Sequence, residues 1–360
     1  MKNNFQYIVV GAGIVGLAIS EILSRKSNGN ILVIDKEKKF GLHTSSRNSE
    51  VVHSGFYYPQ DSLKSKLCVK GNKMMYEFCD KYNIPYKKCG KLIVANTKEE
   101  ITTLDDILLS SYKNGVEAQI ISKKDSLKIE PNVRCKKSLW VPSTGIVDSH
   151  LVMSKLENLS LSRDVSILYN LELDSIQKID SGYSIDFVND DSIITTDCII
   201  NCAGLWAHEI ANQLLENKYE VEYYKGDYFK TSDIKNINSL IYPVPNNLSL
   251  GIHVVINLNG EVLFGPNVYK IDSVSYQNDS RYKETFLKEA NKLLVNNIKD
   301  IYIDYSGIRP KIKYDGRLND FIIKEEKTLK NFYNLIGIDS PGLTSSLAIA
   351  EYVYSLIQID

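Results

Sequence analysis

The sequence lacks an excess of charge of either sign: 43 basic and 44 acidic side chains give its 360 residues a formal net charge of -1. Proteins that bind nucleic acid need a surplus of basic groups for the phosphates, so this balance argues against that class. With 43% hydrophobic and 24% charged residues, the composition is that of a folded globular protein rather than a disordered or collagenous one. The length suits two compact units or one large interleaved unit.

Long apolar runs and metal-binding motifs are also missing. No stretch of 18 consecutive apolar residues occurs, so we predict no membrane-spanning helix. The apolar segment 8–19 is interrupted by three glycines and followed by charged side chains, so we do not expect a secretory leader there. The six cysteines form no C-x-x-C pair, and no two histidines stand at metal-ligand spacing. We therefore predict reduced thiols, no metal site and a cytoplasmic protein, with peripheral contact to the inner face of a membrane as the alternative.

The N-terminal segment has the pattern of a dinucleotide-binding site. The apolar run 7–10 predicts a strand, Gly11-Ala12-Gly13-Ile14-Val15-Gly16 fits G-x-G-x-x-G, and 14–24 predicts a helix. A second apolar run, 31–34, predicts a strand that ends at Asp35. Strand, glycine turn, helix, strand and acid in this order are much more specific than the glycine motif alone.

Each residue type in this pattern has its own physical reason. Gly11 allows the tight turn, Gly13 lets a pyrophosphate approach the backbone, and Gly16 lets the helix pack closely on the strand. The phosphates would lie at the helix N-terminus, and Asp35 would accept hydrogen bonds from the adenosine ribose. The alternative is a glycine-rich turn of an ordinary α/β unit. The motif by itself does not distinguish NAD from FAD.

Several later stretches carry a resemblance to a known family. They lie at residues 45–59, 62–64, 89–95, 142–148, 201–207, 225–229, 241–245, 251–253, 264–267, 307–310 and 337–346. In these stretches the sequence resembles the D-amino-acid-oxidase-like flavoproteins, and among them it is most similar to the L-2-hydroxyglutarate oxidase/dehydrogenase family. The resemblance runs from end to end of the chain in the family's order, and it implies that the dinucleotide is FAD.

The resemblance also implies a fold and a domain division. The expected class is α/β, with a Rossmann-like FAD-binding domain of the glutathione-reductase-2 type. An α+β substrate domain, built on a mainly antiparallel sheet, would be interleaved with it. The expected FAD-binding domain consists of 1–78, 142–214 and 305–360, and the expected substrate-binding domain of 79–141 and 215–304.

The resemblance implies which residues contact the cofactor. Besides the glycine motif and Asp35, the expected FAD contacts are Lys36, Ser45, Ser46, Arg47, Asn48, His53, Ser54, Gly55, Ala203, Gly204, Trp206, Gly307, Arg309, Pro341, Gly342, Leu343 and Thr344. A core position is the equal alternative for the tryptophan.

The C-terminal segment predicts a strand over 333–338, a turn, and a helix capped by Thr344 or Ser345 that runs to about residue 357. In the resembled family this helix points its N-terminus at the flavin N1/C2=O edge. There its dipole would stabilise the negative charge of reduced flavin by about 0.3–2 kcal/mol.

The chemistry implied is hydride transfer from the α-carbon of a small acid to flavin N5. Arg309, in Gly-Ile-Arg-Pro, matches the carboxylate-binding arginine of the amino-acid oxidases, and its planar fork suits a carboxylate. Oxidising an alcohol also needs a base, and only five histidines are available. We favour His253 as the base or substrate hydrogen-bond donor and His53 as a contact to flavin or substrate. A covalent link from His53 to FAD, or two ordinary structural histidines, are the alternatives.

A second substrate carboxylate would need a second cation. Lys225, Lys311 and Arg317 are the candidates, and Tyr58 would help to close the pocket. Lys225 stands where the family is expected to have arginine, and a lysine holds a carboxylate less rigidly.

We therefore predict an FAD-dependent oxidation of a small 2-hydroxy acid to the 2-oxo acid, with L-2-hydroxyglutarate as the best single substrate. An amino-acid or secondary-amine oxidase is the first alternative, and a flavin-binding regulatory protein is the second. The expected partners are a small carboxylate substrate and an electron acceptor, which is oxygen, a quinone or a carrier protein.

Overall fold

A computed structural model describes residues 4–188, 190–245, 251–313 and 320–359. The strands in these ranges are β1 (Asn4–Val10), β2 (Ile31–Ile34), β3 (Val51–Val52), β4 (Tyr86–Lys87), β5 (Lys91–Ala95), β6 (Gln119–Ser122), β7 (Lys137–Val141), β8 (Gly145–Val147), β9 (Ser166–Leu168), β10 (Leu173–Ile179), β11 (Gly182–Phe187), β12 (Asp190–Asn201), β13 (Val221–Thr231), β14 (Leu240–Pro243), β15 (Val254–Ile256), β16 (Val262–Phe264), β17 (Tyr269–Ile271), β18 (Tyr302–Ile312), β19 (Ile322–Glu326) and β20 (Leu329–Ile336). The α-helices are α1 (Ile14–Lys26), α2 (Leu63–Tyr82), α3 (Lys98–Lys113), α4 (Lys123–Ile129), α5 (Ser149–Leu161), α6 (Ala207–Asn212), α7 (Lys283–Leu293) and α8 (Gly342–Ile359). Short 3-10 helices lie at Gly204–Trp206 and Ser280–Tyr282.

The chain divides into two compact units. The first unit comprises residues 1–46, 149–223 and 309–360, and the second comprises 47–148 and 224–308. None of the helices within the described ranges is both long enough and apolar enough to span a bilayer.

The first unit is built on a mainly parallel sheet. Strand β1 lies between β12 and β2 and pairs in parallel with both, while β9 pairs with β2 and β20 with β12, also in parallel. Strands β10 and β11 extend the sheet through antiparallel pairs, and β19 pairs antiparallel with β20. Residues 7–10 and 31–34 are buried throughout, because a parallel sheet that is covered on both faces needs apolar side chains at every position. Helix α1 packs against α5 and α8.

The second unit is built on a mainly antiparallel sheet with the order β17-β13-β16-β15-β14-β5-β7-β6, and β18 pairs with β13. The pairs β13–β16, β16–β15, β15–β14, β5–β7 and β7–β6 are antiparallel, whereas β14 and β5 are parallel. Apolar side chains from these strands and from α7 form its core, and among them are Leu92, Leu139, Leu240, Val254 and Phe286. A Rossmann-like α/β unit and an interleaved unit with a mainly antiparallel sheet confirm the predicted fold class.

The division by contacts differs from the predicted domain ranges at 47–78, 142–148 and 305–308, which fall in the second unit, and at 215–223, which falls in the first. Local bonds explain the difference at 47–78 and 142–148. Strand β3 pairs with β8, and the Tyr76 hydroxyl and the Asn72 side-chain amide of α2 both donate to the Ser143 carbonyl, at 3.1 and 2.9 Å. These two segments therefore bind each other, and both belong to the second unit.

Candidate functional site

The glycine turn of the first unit has a tightly constrained backbone. Gly11 has φ +105°, and a Cβ there would lie 2.5 Å from the Cys202 carbonyl oxygen at the end of β12. A Cβ on Gly16 would lie 1.9 Å from the Gly11 carbonyl oxygen. Helix α1 therefore approaches the turn so closely that only glycine fits at both positions. The helix begins after Gly13, which offers no side chain to cap it, as expected where a phosphate takes that place.

Two polar side chains fix the shape of this turn. The Ser45 hydroxyl accepts a hydrogen bond from the Ile14 backbone N–H at 3.0 Å. The Asp35 carboxylate accepts one from Ala12 N–H at 2.7 Å and one from Glu37 N–H at 2.9 Å. Burial raises the pKa of Asp35 above its ordinary value, and these two hydrogen bonds oppose the rise. The carboxylate thus joins the end of β2 to the glycine turn, and its remaining lone pairs suit ribose hydroxyls.

Trp206 is held by two side chains of the same unit. The Lys36 ammonium nitrogen lies 3.4 Å from the centre of a Trp206 ring, and the His43 ring meets the indole edge-on with centroids 4.6 Å apart. Trp206 is only partly buried, so it is not a fully enclosed core residue. Of the remaining predicted contacts, Ala203 lies against Gly11, whereas a Cβ on Gly204, with φ +56°, would have no described neighbour within 4 Å.

The C-terminal helix corrects one prediction. Helix α8 begins at Gly342, so Thr344 and Ser345 lie in its first turn and do not cap it. The chain is already helical there, since the Ser345 N–H bonds to the Pro341 carbonyl at 3.0 Å. The buried hydroxyl oxygens of Ser345 and Ser346 have no hydrogen-bond partner within the described protein. Unpartnered buried hydroxyls cost about 1–3 kcal/mol each, so polar atoms of a bound group are expected to satisfy them. The N-terminus of α8 therefore fits a flavin edge.

One guanidinium nitrogen of Arg309 lacks an acceptor among the described residues. Arg309 lies on β18, and this nitrogen, Nη1, is buried. A buried guanidinium nitrogen without an acceptor is costly, so an anionic ligand is the expected partner. Two residues earlier, a Cβ on Gly307 would lie 2.1 Å from the Arg47 carbonyl oxygen, so close backbone packing accounts for that glycine.

The second unit holds a cluster that we call the Lys91 cluster: His53, Phe56, Lys91, Tyr242 and His253. The Lys91 ammonium nitrogen lies 3.9 Å from the centre of the Tyr242 ring, and the Tyr242 and His253 rings stack with centroids 3.5 Å apart. Burial lowers the pKa of Lys91 from 10.5 to about 7. Burial, with the nearby Lys91 charge as a smaller cause, also holds the pKa of His53 well below its ordinary value. His53 thus lies near Lys91, a residue for which the sequence predicted no role, and His253 contacts the same Tyr242 ring as Lys91.

One signal could have revealed Lys91. It begins the strand Lys-Leu-Ile-Val-Ala, every residue of which is buried. A lysine directly before four apolar residues of a buried strand is unusual, because lysine is almost never fully buried unless it is paired.

The other predicted residues of the second unit have partners within it. The Lys225 ammonium donates to the Gln277 backbone carbonyl and lies near the Asp227 and Asp279 carboxylates. Ser54 bonds to the hydroxyls of Thr144 and Ser143, at 2.7 and 2.9 Å.

The remaining candidates have backbone or ring contacts. The backbone carbonyls of Gly55 and Tyr58 accept from Asn114, that of Asn48 accepts from the Tyr305 hydroxyl, and Arg47 lies over the Tyr276 ring. In the first unit the Ser46 hydroxyl donates to the Gly41 carbonyl. These contacts explain the positions of the residues without invoking a bound ligand, so their roles in binding stay predictions. Arg317 lies outside the described residues.

The glycine turn, the ribose-type acid and the parallel sheet together define a dinucleotide-binding oxidoreductase fold. A family model described as "FAD dependent oxidoreductase" matches residues 6–356, and the chain belongs to this family, known as DAO. The protein is therefore an FAD-dependent oxidoreductase, and the predicted cofactor and enzyme class are confirmed.

Two curated proteins and one solved structure illustrate what the chain is similar to. The chain is 37% identical to the mitochondrial L-2-hydroxyglutarate dehydrogenase of Arabidopsis thaliana, over 98% of this chain and 83% of that protein. It is 31% identical to the glycerol 3-phosphate dehydrogenase of Caloramator mitchellensis, over 98% of this chain and 74% of that protein. Its structure is similar to the dithionite-reduced L-alpha-glycerophosphate oxidase of Mycoplasma pneumoniae with FAD bound. That TM-score is 0.89 at 25% identity, covering 99% and 95% of the two chains.

Proposed function

We propose that the protein oxidises a small 2-hydroxy acid to the 2-oxo acid, with L-2-hydroxyglutarate as its substrate. The observation that carries the proposal is the Arg309 guanidinium, whose buried Nη1 has no acceptor in the described protein and is matched to a substrate carboxylate. The relatedness to L-2-hydroxyglutarate dehydrogenases supports the choice of acid.

FAD, when bound, accepts a hydride from the substrate carbon. The glycine turn with Ser45 would hold its phosphates, Asp35 its ribose, and the first turn of α8 its ring edge. In our proposal Arg309 orients the substrate by its carboxylate. His253 accepts the hydroxyl proton as the carbon–oxygen double bond forms, and the stacked Tyr242 fixes the plane of the imidazole.

Glycerol 3-phosphate is the second candidate substrate. Like the hydroxy acid, it carries a secondary alcohol and an anionic group. The glycerol 3-phosphate dehydrogenase and the L-alpha-glycerophosphate oxidase described above, which support this candidate, are each similar to nearly the whole of this chain. The amine-oxidase alternative has weaker support, because the glycine oxidase of Geobacillus kaustophilus is 17% identical with a TM-score of 0.84, which shows the fold alone.

Anaerobic bleaching of the flavin tests the proposal. The holoenzyme is mixed with L-2-hydroxyglutarate, its D-enantiomer, glycerol 3-phosphate and glycine, and the flavin absorbance is followed. We expect rapid bleaching by L-2-hydroxyglutarate alone, slowed by about 100-fold or more in His253→Asn without a comparable loss of binding. Bleaching by glycerol 3-phosphate and not by the hydroxy acid would replace the proposed substrate with the second candidate.

A further inference from the structure

Lys91 is a buried lysine with no carboxylate paired to its ammonium in the described part of the chain. The residue is 1% exposed. The ammonium lies 3.9 Å from the centre of the Tyr242 ring and 5.7 Å from that of Phe56. Aromatic faces offset only part of the cost of burying a charge, which amounts to several kcal/mol. The contacts of Lys91 within the described protein therefore do not offset the cost of burying its charge.

The other titratable groups around Lys91 are neutral. Its electrostatic neighbours are the thiols of Cys68 and Cys89, whose pKa values burial raises, and the imidazole of His53, whose pKa burial lowers. The Tyr57 hydroxyl, which lies near Tyr242, is buried and has no hydrogen-bond partner in the described protein. An ammonium and an unused hydroxyl donor near the same ring are the kinds of donor that an anion needs.

Strand register brings this set to His253. Strand β14 lies between β5 and β15, with Ile241 paired to Leu92 on one side and to Val254 on the other. Tyr242 therefore stands opposite His253, stacks on it at 3.5 Å, and contacts the Lys91 ammonium. The cation and the histidine therefore share one aromatic neighbour, and the distance from the ammonium nitrogen to the centre of the imidazole is at most the sum of these two contacts.

We propose that Lys91 binds the distal anionic group of the substrate, so that the enzyme selects 2-hydroxy acids with a second anionic terminus. This inference rests on the proposed function, in which His253 acts at the hydroxyl. In L-2-hydroxyglutarate three carbon–carbon bonds separate the hydroxyl-bearing carbon from the distal carboxylate carbon. A carboxylate and a phosphate would satisfy the same ammonium, and the substrates below distinguish them.

The test compares a diacid with a monoacid that differs from it only at the far end, and adds a phosphate ester as a third substrate. Anaerobic flavin reduction is measured with L-2-hydroxyglutarate, with L-2-hydroxyvalerate of equal chain length, and with glycerol 3-phosphate. The holoenzymes are wild type, Lys91→Met, Lys91→Arg and the exposed-lysine control Lys137→Met. We expect Lys91→Met to raise the half-saturating concentration of L-2-hydroxyglutarate by about 10- to 100-fold and to leave its limiting rate and the L-2-hydroxyvalerate kinetics nearly unchanged. Lys91→Arg should recover part of the loss, and Lys137→Met should resemble wild type.

Equal losses with the diacid and the monoacid, or no loss with either, would overturn the inference. A loss confined to glycerol 3-phosphate would make the bound terminus a phosphate. If Lys91→Met does not fold, wild type alone decides, because it must prefer L-2-hydroxyglutarate to L-2-hydroxyvalerate by at least tenfold. If no hydroxy acid bleaches the flavin, the proposed function fails. The binding of glutarate and of butyrate, followed by the change in flavin absorbance, then tests Lys91 separately. If glutarate binds more tightly than butyrate and Lys91→Met abolishes the difference, Lys91 forms an anion site. If the two acids bind equally, it does not.

Discussion

Replacing Arg309 by methionine separates a ligand-binding arginine from a structural one. Its Nη1 is buried and bonds to no described residue. This nitrogen therefore adds little to the stability of the folded protein, while its removal from water costs free energy. We therefore expect Arg309→Met to leave the unfolding temperature of the protein unchanged or to raise it. A structural arginine that lost buried hydrogen bonds would instead lower the stability by about 1–3 kcal/mol.

The same substitution should weaken substrate binding strongly. Removing one partner of a buried, hydrogen-bonded charge pair costs about 2–5 kcal/mol, which corresponds to about 30- to 5000-fold in kcat/KM. FAD content, read from the absorbance ratio of flavin to protein, should stay at the wild-type level. The assay is steady-state oxidation of L-2-hydroxyglutarate together with a thermal melt. A fall in the melting temperature without a large change in kcat/KM would refute the assigned role, because the guanidinium would then serve the fold.

Three further outcomes are expected. Gly11→Ala should give a protein depleted in flavin, since φ +105° and the Cys202 carbonyl at 2.5 Å leave no room for a methyl group; full flavin occupancy would contradict this. Ser346→Ala should stabilise the apoprotein or leave it unchanged while weakening FAD binding by about 5- to 10-fold, because it removes a hydroxyl that only the ligand would satisfy; melts with and without FAD measure both. The pKa of Lys91, lowered from 10.5 to about 7, makes the unfolded state bind the extra proton between these values. The substrate-free protein should therefore lose stability as the pH falls from 10 to 7, and Lys91→Met should flatten that part of the denaturation profile; identical profiles would contradict it.

The sequence predicted the parts of the molecule whose geometry is local. The glycine turn, α1 and the acid at the end of β2 depend on contacts within about one βαβ unit, and the residue types required there are few. Helix α8 was predicted with its start slightly too late, because threonine and serine are favoured caps and the preceding Pro-Gly was assigned to the turn. The domain boundaries depend on bonds between 47–78 and 142–148, and pairing over that separation leaves no periodic signal in either segment.

The Lys91 cluster illustrates why the substrate side is harder to derive than the cofactor side. Lys91, Tyr242 and His253 become neighbours only through the register of β5, β14 and β15, one parallel pair followed by an antiparallel one. Shifting either pair by one residue would turn the lysine or the histidine to the other face of the sheet, and no sequence motif encodes that register. The candidates that the sequence offered for a second cation therefore included Lys225, which stands where the family is expected to have arginine, and not Lys91. At Lys225 the structure supplies a carbonyl and nearby carboxylates to the ammonium. A buried lysine whose charge is already balanced has less to gain from a substrate than one whose charge is not, and this difference makes Lys91 the stronger candidate for recognising an anionic ligand.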